Sequence, residues 1–260
     1  MTEGVSLHCR RSGGDGPALV LLHGLYGSGS NWARVAPAMA GTYRVLMPDL
    51  RNHGQSPTHS RMDYPAMAAD IRALLDAEGL SEAIVLGHSM GGKVAMQLAL
   101  AEPERVQALI IADMAPRAYD GAEHAGIIRA LQALPLETLD SRSAADAALA
   151  DDIPSAGIRQ FLLTNLQRRN GGWAWRLPLE VLADQLPEIM GWPGVEGRYS
   201  DPALFIHGGR SPYLQDSDHA PILELFPQAR FRCLEDCGHW LHVEDPEGFL
   251  QEVKAFLEKL

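Results

Sequence analysis

The sequence predicts an α/β domain built on a doubly wound, mostly parallel sheet, with a helical segment inserted into it. Short apolar runs alternate with stretches of helical periodicity along most of the chain, and the alternation breaks between about residues 116 and 198. A length of 260 residues suits one large domain with a modest insertion.

Six apolar runs are the predicted strands. Most are nearly continuous in Val, Ile and Leu, as expected where both faces of a parallel sheet are covered. The runs span residues 18–24, 43–49, 82–88, 106–114, 202–209 and 229–236. Helical spacing follows the second, third and last of them, over 62–79, 89–104 and 245–260. Strand followed by helix, repeated, predicts right-handed connections.

The break in this alternation predicts the domain organisation. Residues 1–115 and 199–260 are assigned to the α/β core. Residues 116–198 are helix-rich, carry no strong strand run and are assigned to an inserted helical cap. We expect the cap to lie over the carboxyl ends of the strands, where α/β sheets bind ligands. The alternative is an insertion packed on a helix face away from any site.

The composition restricts the partners and the compartment. A net charge of −11 disfavours nucleic acid and anionic membrane surfaces as partners. The start of the chain lacks the pattern of a signal peptide, and no apolar run approaches the roughly 20 residues of a membrane span. Cys9, Cys233 and Cys237 do not resemble a disulfide framework. The default expectation is a cytoplasmic setting.

The segment "VLGHSMGGKVAM" (85–96) places a serine where an apolar strand turns into a helix. Gly87, Ser89 and Gly91 form the pattern G-x-S-x-G, in which small flanking residues let the helix crowd against the strand. The amino terminus of the helix favours negative charge beside the serine oxygen. We therefore predict that Ser89 is a nucleophile; the alternative is a serine that merely caps the helix.

Two backbone amides are candidate donors to an oxyanion. The amide of Met90 directly follows the predicted nucleophile, and a second donor is expected in a turn after an earlier strand. His23 and Gly24 end the first apolar run and place the amide of Leu25 at the carboxyl end of that strand. The alternative is an ordinary tight turn.

The predicted general base is His239. It follows Gly238 in the loop between the last strand and the final helix, and the order serine before histidine fits a G-x-S-x-G turn of this kind. His242 is expected to be a neighbour of the base. Structural or supporting roles are expected for the histidines at positions 53, 88 and 207.

With these residues the chain resembles the α/β-hydrolase superfamily over nearly its whole length. The matching segments are "HGLYGSGSNW", "DLRNHGQS" (49–56), "GHSMGGK" and "GHWLHVEDPE". Within the superfamily, "RNHG" and "HSMGGK" are similar to a branch of bacterial and mitochondrial esterases. The resemblance implies serine-dependent ester hydrolysis with no metal or organic cofactor.

The chain departs from the superfamily's commonest pattern at the acid partner of the histidine. That aspartate usually stands in a G-x-x-D turn after the penultimate strand, but here the turn reads "HGGRSPY", with Ser211 in its place. Asp113, at the end of the fourth predicted strand, is the favoured replacement, and the resembling branch carries its acid there. Asp216 and Asp218 are the alternatives, since any carboxylate that reaches the distal ring nitrogen can serve. A capping role at the strand end is the other interpretation of Asp113.

A zinc site is considered in the segment 233–242. Cys233, Cys237, His239 and His242 give the pattern C-x3-C-x-H-x2-H. All four lie in one strand and its loop, without the long intervening stretch typical of structural zinc. No metal is therefore predicted.

Trp173, Trp175 and Tyr213 are predicted to contact the substrate. The two tryptophans lie in the predicted cap, where they would line an acyl pocket. Filling a small core within the cap is at least as good an explanation for them, because tryptophan is a normal large core residue. Tyr213 lies in the same turn as Ser211.

The leading hypothesis is a carboxylic ester hydrolase that acts on short- to medium-chain acyl esters through an acyl-enzyme. A thioesterase with the same triad is an alternative, with Arg168, Arg169 or Lys93 as weak candidates for a basic patch that binds a nucleotide. Carbon–carbon bond hydrolysis and perhydrolysis also remain open. A slow-turnover ligand receptor on the same scaffold is the alternative from a different class. Each of these takes a small molecule as its partner.

Overall fold

Within residues 4–169 and 171–260, which the computed structural model describes, a seven-stranded sheet has helices on both faces. Residues 1–3 of the predicted core and residue 170 of the predicted cap lie outside the described residues. The strands are β1 (Cys9–Ser12), β2 (Ala18–Leu22), β3 (Arg44–Pro48), β4 (Ala83–His88), β5 (Val106–Ala112), β6 (Leu166–Arg169), β7 (Gly172–Trp175), β8 (Ala203–Gly208) and β9 (Ala229–Leu234). The helices are α1 (Ala36–Met39), α2 (Tyr64–Ala77), α3 (Met90–Ala101), α4 (Ala122–Ala133), α5 (Arg142–Ala148), α6 (Ala156–Leu163), α7 (Leu179–Met190), α8 (His219–Leu225), α9 (Leu241–Glu244) and α10 (Pro246–Leu257). Among the described helices, none combines the length and hydrophobicity that a transmembrane span requires.

The sheet has the strand order β1-β3-β2-β4-β5-β8-β9. Strand β1 is antiparallel to β3, and the other neighbouring pairs are parallel. The direction in which the chain adds strands reverses between β2 and β4, which creates a crevice at their carboxyl ends. This topology confirms the predicted doubly wound, mostly parallel sheet.

Side chains alternate between two apolar layers along the central strands. Leu19 and Leu21 of β2 pack in the layer that contains α1 and α10, whereas Val20 and Leu22 pack in the layer that contains α2 and α3. This alternation fixes which residues face each layer, because a slip of one position would exchange the two sets. The register pairs Leu22 with Gly87 and so brings the ends of β2 and β4 to the same edge.

The six predicted strands are all present, with ends that differ by no more than two residues. Strand β1 was not predicted, because its sequence "CRRS" has no apolar run and only Cys9 in it is buried. The antiparallel pair β6–β7 was not predicted either. It adds a small sheet to a segment expected to be helical, and its side chains are largely exposed or half-buried.

Candidate functional site

Ser89 lies at the sharp turn between β4 and α3. Its backbone has φ 56° and ψ −122°, a conformation that costs a residue with a side chain about 1–3 kcal/mol. The turn presents the serine at the carboxyl edge of the sheet, next to the amino terminus of α3. The strand–turn–helix setting expected of a nucleophilic serine is therefore present.

The two glycines of the G-x-S-x-G motif are required because backbone atoms of other residues lie very close to them. A Cβ on Gly87 would lie 2.2 Å from the carbonyl oxygen of Gly91, and a Cβ on Gly91 would lie 2.5 Å from that of Leu22. Both distances are far shorter than a carbon–oxygen van der Waals contact. Residues without a side chain thus let α3 start directly against β2 and β4.

His239 reaches the serine from the loop after β9. Its Nε2 lies 2.9 Å from Ser89 Oγ. The ring of Tyr213 stacks on the imidazole at 3.9 Å, and the backbone carbonyl of His239 accepts a hydrogen bond from His88 Nε2 at 2.8 Å. His88 therefore holds the loop of His239, a specific role that its position beside the serine did not reveal.

Asp113 lies on the other side of the imidazole. Its Oδ2 is 2.6 Å from His239 Nδ1, and the carboxylate is fully buried. The Ser211 hydroxyl donates to the same oxygen, and the Gly208 amide donates to Oδ1 at 3.1 Å. The serine that stands where the superfamily usually has its aspartate thus bonds to the carboxylate that replaces it.

The two alternative aspartates lie elsewhere. Asp218 forms an ion pair with Arg117 at 2.9 Å, and the Asp216 side chain is almost fully exposed. Neither is hydrogen-bonded to His239, whose distal nitrogen faces Asp113. Of the three candidate acids, the structure brings Asp113 to the imidazole.

Burial sets the protonation of this pair. It lowers the pKa of His239 below its ordinary value, so the imidazole is neutral at neutral pH. Burial raises the pKa of Asp113, while the hydrogen bonds from Ser211 and Gly208 lower it. A neutral ring that donates from Nδ1 to Asp113 has a free lone pair on Nε2, which can accept the proton of Ser89.

The two residues that carry the predicted amides lie beside the serine. Leu25 and Met90 both line the cavity that contains Ser89. Met90 is the first residue of α3, so its N–H has no acceptor within the helix. A Cβ on Gly24 would lie 3.2 Å from the Cβ of Ser89, which shows how closely the turn before Leu25 packs on the serine. Two N–H groups placed in this way can stabilise an oxyanion.

Two buried histidines support the turn that carries Leu25. His23 Nε2 accepts a hydrogen bond from the Leu50 amide at 2.9 Å, and His53 Nε2 accepts one from the Tyr26 amide at 3.0 Å. Burial lowers the pKa of His23 to about 4 and that of His53 to about 3, and only the neutral ring has an acceptor nitrogen. The sequence does not reveal these contacts, although both histidines lie in the motifs "HGLYG" and "RNHG".

The cavity next to Ser89 is narrow, about 20 Å³ in volume. Residues 116–198 contribute to its wall through Tyr119, His124, Ile189 and Met190. About 10–15 Å³ of such space holds one water molecule, so the cavity has room for little more than a water and does not admit an acyl chain. Access for a substrate requires movement of the residues around it.

The aromatic residues predicted to bind substrate separate into two groups. Tyr213 lines the cavity beside Ser89, whereas Trp173 and Trp175 do not. The Trp175 indole donates to the Leu131 carbonyl at 3.0 Å, and the Trp173 ring packs under the Arg168 guanidinium at 4.2 Å. In this structure the β6–β7 pair directs the two tryptophans to partners within the inserted segment, so their substrate contact remains a prediction that the closed cavity does not support.

The cysteine and histidine pattern in 233–242 does not converge on one point. His239 is bonded to Ser89 and Asp113, while the ring of His242 packs against those of Trp32 at 4.8 Å and His88 at 4.5 Å. In this segment, His239 is thus engaged by Ser89 and Asp113, and His242 is engaged by aromatic rings.

Comparisons with known proteins identify the family of this chain. The family model for the alpha/beta hydrolase fold matches residues 17–246. The sn-1-specific diacylglycerol lipase ABHD11 of Mus musculus is 43% identical over 248 residues, which cover 93% of this chain and 81% of the mouse protein. Esterase YbfF of Escherichia coli (strain K12) is 37% identical over 239 residues, which cover 92% of each chain.

A solved structure extends the agreement to three dimensions. The structure titled "Marine microorganism esterase" superimposes with a TM-score of 0.94 at 36% identity and covers 97% of this chain and 99% of its own. The chain therefore belongs to the α/β-hydrolase family, among its esterase-type enzymes.

Proposed function

We propose that the chain is a serine carboxylic ester hydrolase that forms an acyl-enzyme on Ser89. The observation that carries the proposal is the continuous hydrogen-bonded series from Ser89 through His239 to Asp113, in a cavity that Leu25 and Met90 also line. Nucleophile, base, orienting carboxylate and oxyanion donors are the parts that acyl transfer requires.

The mechanism follows from these positions. His239 Nε2 takes the proton of Ser89 as Oγ attacks the acyl carbonyl, and the resulting oxyanion accepts hydrogen bonds from the two amides. The protonated imidazole, stabilised by Asp113, gives its proton to the leaving alcohol as the ester C–O bond breaks. Water, deprotonated by His239, then attacks the acyl-enzyme and releases the acid and the free serine.

The wall of the cavity and the names of the relatives support the proposed substrate class. Leu25, Met114 and Ile189 give the cavity beside Ser89 an apolar wall that suits an acyl chain. The relatives carry the names esterase and diacylglycerol lipase. Short- to medium-chain acyl esters are therefore the proposed substrates, and residues 116–198 are the proposed lid over them.

A thioester of coenzyme A has less support. Lys93 is buried and donates to the carbonyls of Met190 at 3.1 Å and Gly191 at 2.6 Å, and Arg168 packs on Trp173. Both cations are thus engaged within the protein rather than gathered into a patch for phosphate groups.

The test compares two site variants with two matched controls on p-nitrophenyl butyrate. Ser89→Ala and Asp113→Asn should each lower kcat/KM by about 10⁴-fold, because one removes the nucleophile and the other disturbs the orientation of the imidazole. Ser60→Ala, at an exposed serine, and Asp218→Asn, at the alternative acid, should stay within about threefold of the wild type.

Two outcomes would contradict the proposal. One is a Ser89→Ala protein with the wild-type rate. The other is stoichiometric labelling of Ser89 by a fluorophosphonate in a wild-type protein with negligible turnover, which would favour a receptor. A large loss in Asp218→Asn with none in Asp113→Asn would reassign the acid alone.

A further inference from the structure

A second cavity, of about 460 Å³, lies at the carboxyl ends of β8 and β9 next to α8. Its lining residues differ from those around Ser89. His207 at the end of β8, Asp216 in the following loop and His219 at the start of α8 converge there. One nitrogen or carboxylate oxygen of each lies within 4.8 Å of those of the other two.

His207 is buried without a polar partner. The residue is 8% exposed and lines the cavity. Its ring makes no hydrogen bond with any group in residues 4–169 and 171–260. Because the ring borders the cavity, its nitrogens can bind water or a ligand there.

His219 presents a second unpartnered nitrogen. Its Nε2 is shielded from solvent and has no hydrogen-bond partner in the described part of the chain. The nearest carboxylate oxygen, on Asp216, is 3.9 Å away, which is beyond a hydrogen bond. The ring stacks on Phe231 at 3.8 Å with an interplanar angle of 21°, and this contact fixes its orientation.

The charge around the cavity favours a cation. Asp216 and Glu235 line it, while Arg232, which also lines it, is paired with Glu252 at 3.0 Å. Imidazole nitrogens together with a carboxylate suit zinc and its first-row neighbours. Magnesium and calcium take oxygen ligands almost entirely, so this donor set does not suit them.

We propose that His207, Asp216 and His219 form a binding site for a first-row divalent transition-metal ion, with Zn²⁺ as its representative. Tetrahedral zinc at its usual bond lengths needs ligand atoms roughly 3.3 Å apart. The side chain of Asp216 is 96% exposed and free to turn inward, so binding requires the ligand atoms to approach one another by up to about 1.5 Å. Three protein ligands leave one position for water.

The site would connect to the hydrolase centre through one loop. His207 and His219 bracket the residues that include Ser211 and Tyr213. Ser211 bonds to Asp113, and the ring of Tyr213 stacks on that of His239. An ion held at both ends of this loop would fix the residues that position the acid and the base.

Zinc binding to the whole chain tests the proposal. The protein, freed of metal with a chelator, is titrated with ZnCl₂ in a calorimeter, and the bound ion is characterised by X-ray absorption. We expect one equivalent per chain and scattering from two imidazoles. His219→Ala and Asp216→Asn should weaken binding at least about tenfold, whereas His59→Ala, at an exposed histidine outside the cavity, should not change it.

The readout does not depend on the proposed ester hydrolysis. A His239→Ala protein should bind zinc as the wild type does, which separates this cavity from the imidazole beside Ser89. Absence of saturable binding at micromolar zinc, or full binding by Asp216→Asn, would overturn the proposal. Asp216 is exposed, so that variant is informative even if His219→Ala does not fold.

Discussion

At the residue scale, backbone strain collects at the candidate site. Within the described residues, four that are not glycine have a positive φ, and Tyr26, Ser89 and Asp113 are three of them. Each follows the carboxyl end of a central strand and contributes to the site or its supporting turn. Such conformations persist where surrounding contacts enforce them, and here the contacts are those that place the serine, the acid and the oxyanion turn.

The protonation of His239 predicts the pH dependence of the reaction. The base must be neutral to accept the serine proton, so kcat/KM falls as the pH drops through the pKa of His239. Burial lowers this pKa from its ordinary value of 6.5, so the acid limb should lie below pH 6.5. The measurement is kcat/KM for a p-nitrophenyl ester across the acid range.

Circular dichroism at each pH is the necessary control. Burial also lowers the pKa of His23, His53 and His88, so the unfolded chain takes up more protons than the fold as the pH falls below 6.5. Stability is therefore lost in that direction. An acid limb above pH 6.5 in a folded protein would contradict the assignment of a buried neutral base.

Part of the site could be predicted from the sequence because its chemistry lies in short motifs. Ser89, Met90 and His239 follow from the strand–turn–helix pattern and the loop after the last strand. The roles of His88 and Ser211 could not be predicted, since their partners are His239 and Asp113, far away along the chain. Contacts of this kind depend on strand order, which one sequence does not specify.

At the element scale, the junction of β4 and α3 leaves no room for a side chain at either glycine of the G-x-S-x-G motif. Gly91→Ala would place a Cβ 2.5 Å from the Leu22 carbonyl oxygen, so the strand or the helix must move. We expect a loss of about 2–4 kcal/mol in the free energy of unfolding, measured by urea denaturation, together with loss of activity.

Gly126→Ala is the matched control for this substitution. Gly126 lies in α4, and the nearest atom to an added Cβ there is 4.0 Å away. Because alanine favours helix over glycine, this variant should be more stable by about 0.5–1 kcal/mol. Equal effects of the two substitutions would show that the close approach at Gly91 is not what limits the fold.

The buried strands could be predicted from the sequence, whereas the more exposed β6–β7 pair could not. Strands with both faces covered are continuous apolar runs, so β2, β4, β5 and β8 could be located within two residues. The β6–β7 pair has the sequences "LQRR" and "GWAW" and buries little, so no periodicity marks it. Its pairing is fixed by contacts inside residues 116–198, which the sequence pattern does not contain.

At the scale of the whole molecule, residues 116–198 are tied to the core around the narrow cavity. The Tyr64 hydroxyl on α2 donates to the Ile189 carbonyl near the end of α7. Lys93 on α3 donates to the next two carbonyls of the same helix end, and the Asn165 side chain donates to the Tyr26 carbonyl at 2.8 Å. The bonds to residues 189–191 hold the end of α7 over a space too small for an acyl chain, so substrate entry should require them to break.

Tyr64→Phe tests whether the inserted segment acts as a lid. The change removes the hydroxyl and keeps the ring, so the closed state should lose about 1 kcal/mol, which is roughly a fivefold shift toward opening. We expect the ratio of kcat/KM for p-nitrophenyl octanoate to that for the acetate to rise by about this factor, because the longer chain needs the wider opening. Hydrogen exchange of α7 should accelerate in parallel.

Tyr199→Phe is the matched control for Tyr64→Phe. The Tyr199 hydroxyl also donates to a buried carbonyl, that of Val106, but this bond lies within the core. A similar loss of stability with an unchanged substrate ratio is expected there; equal changes in the ratio for both variants would mean that entry does not depend on the contacts of α7.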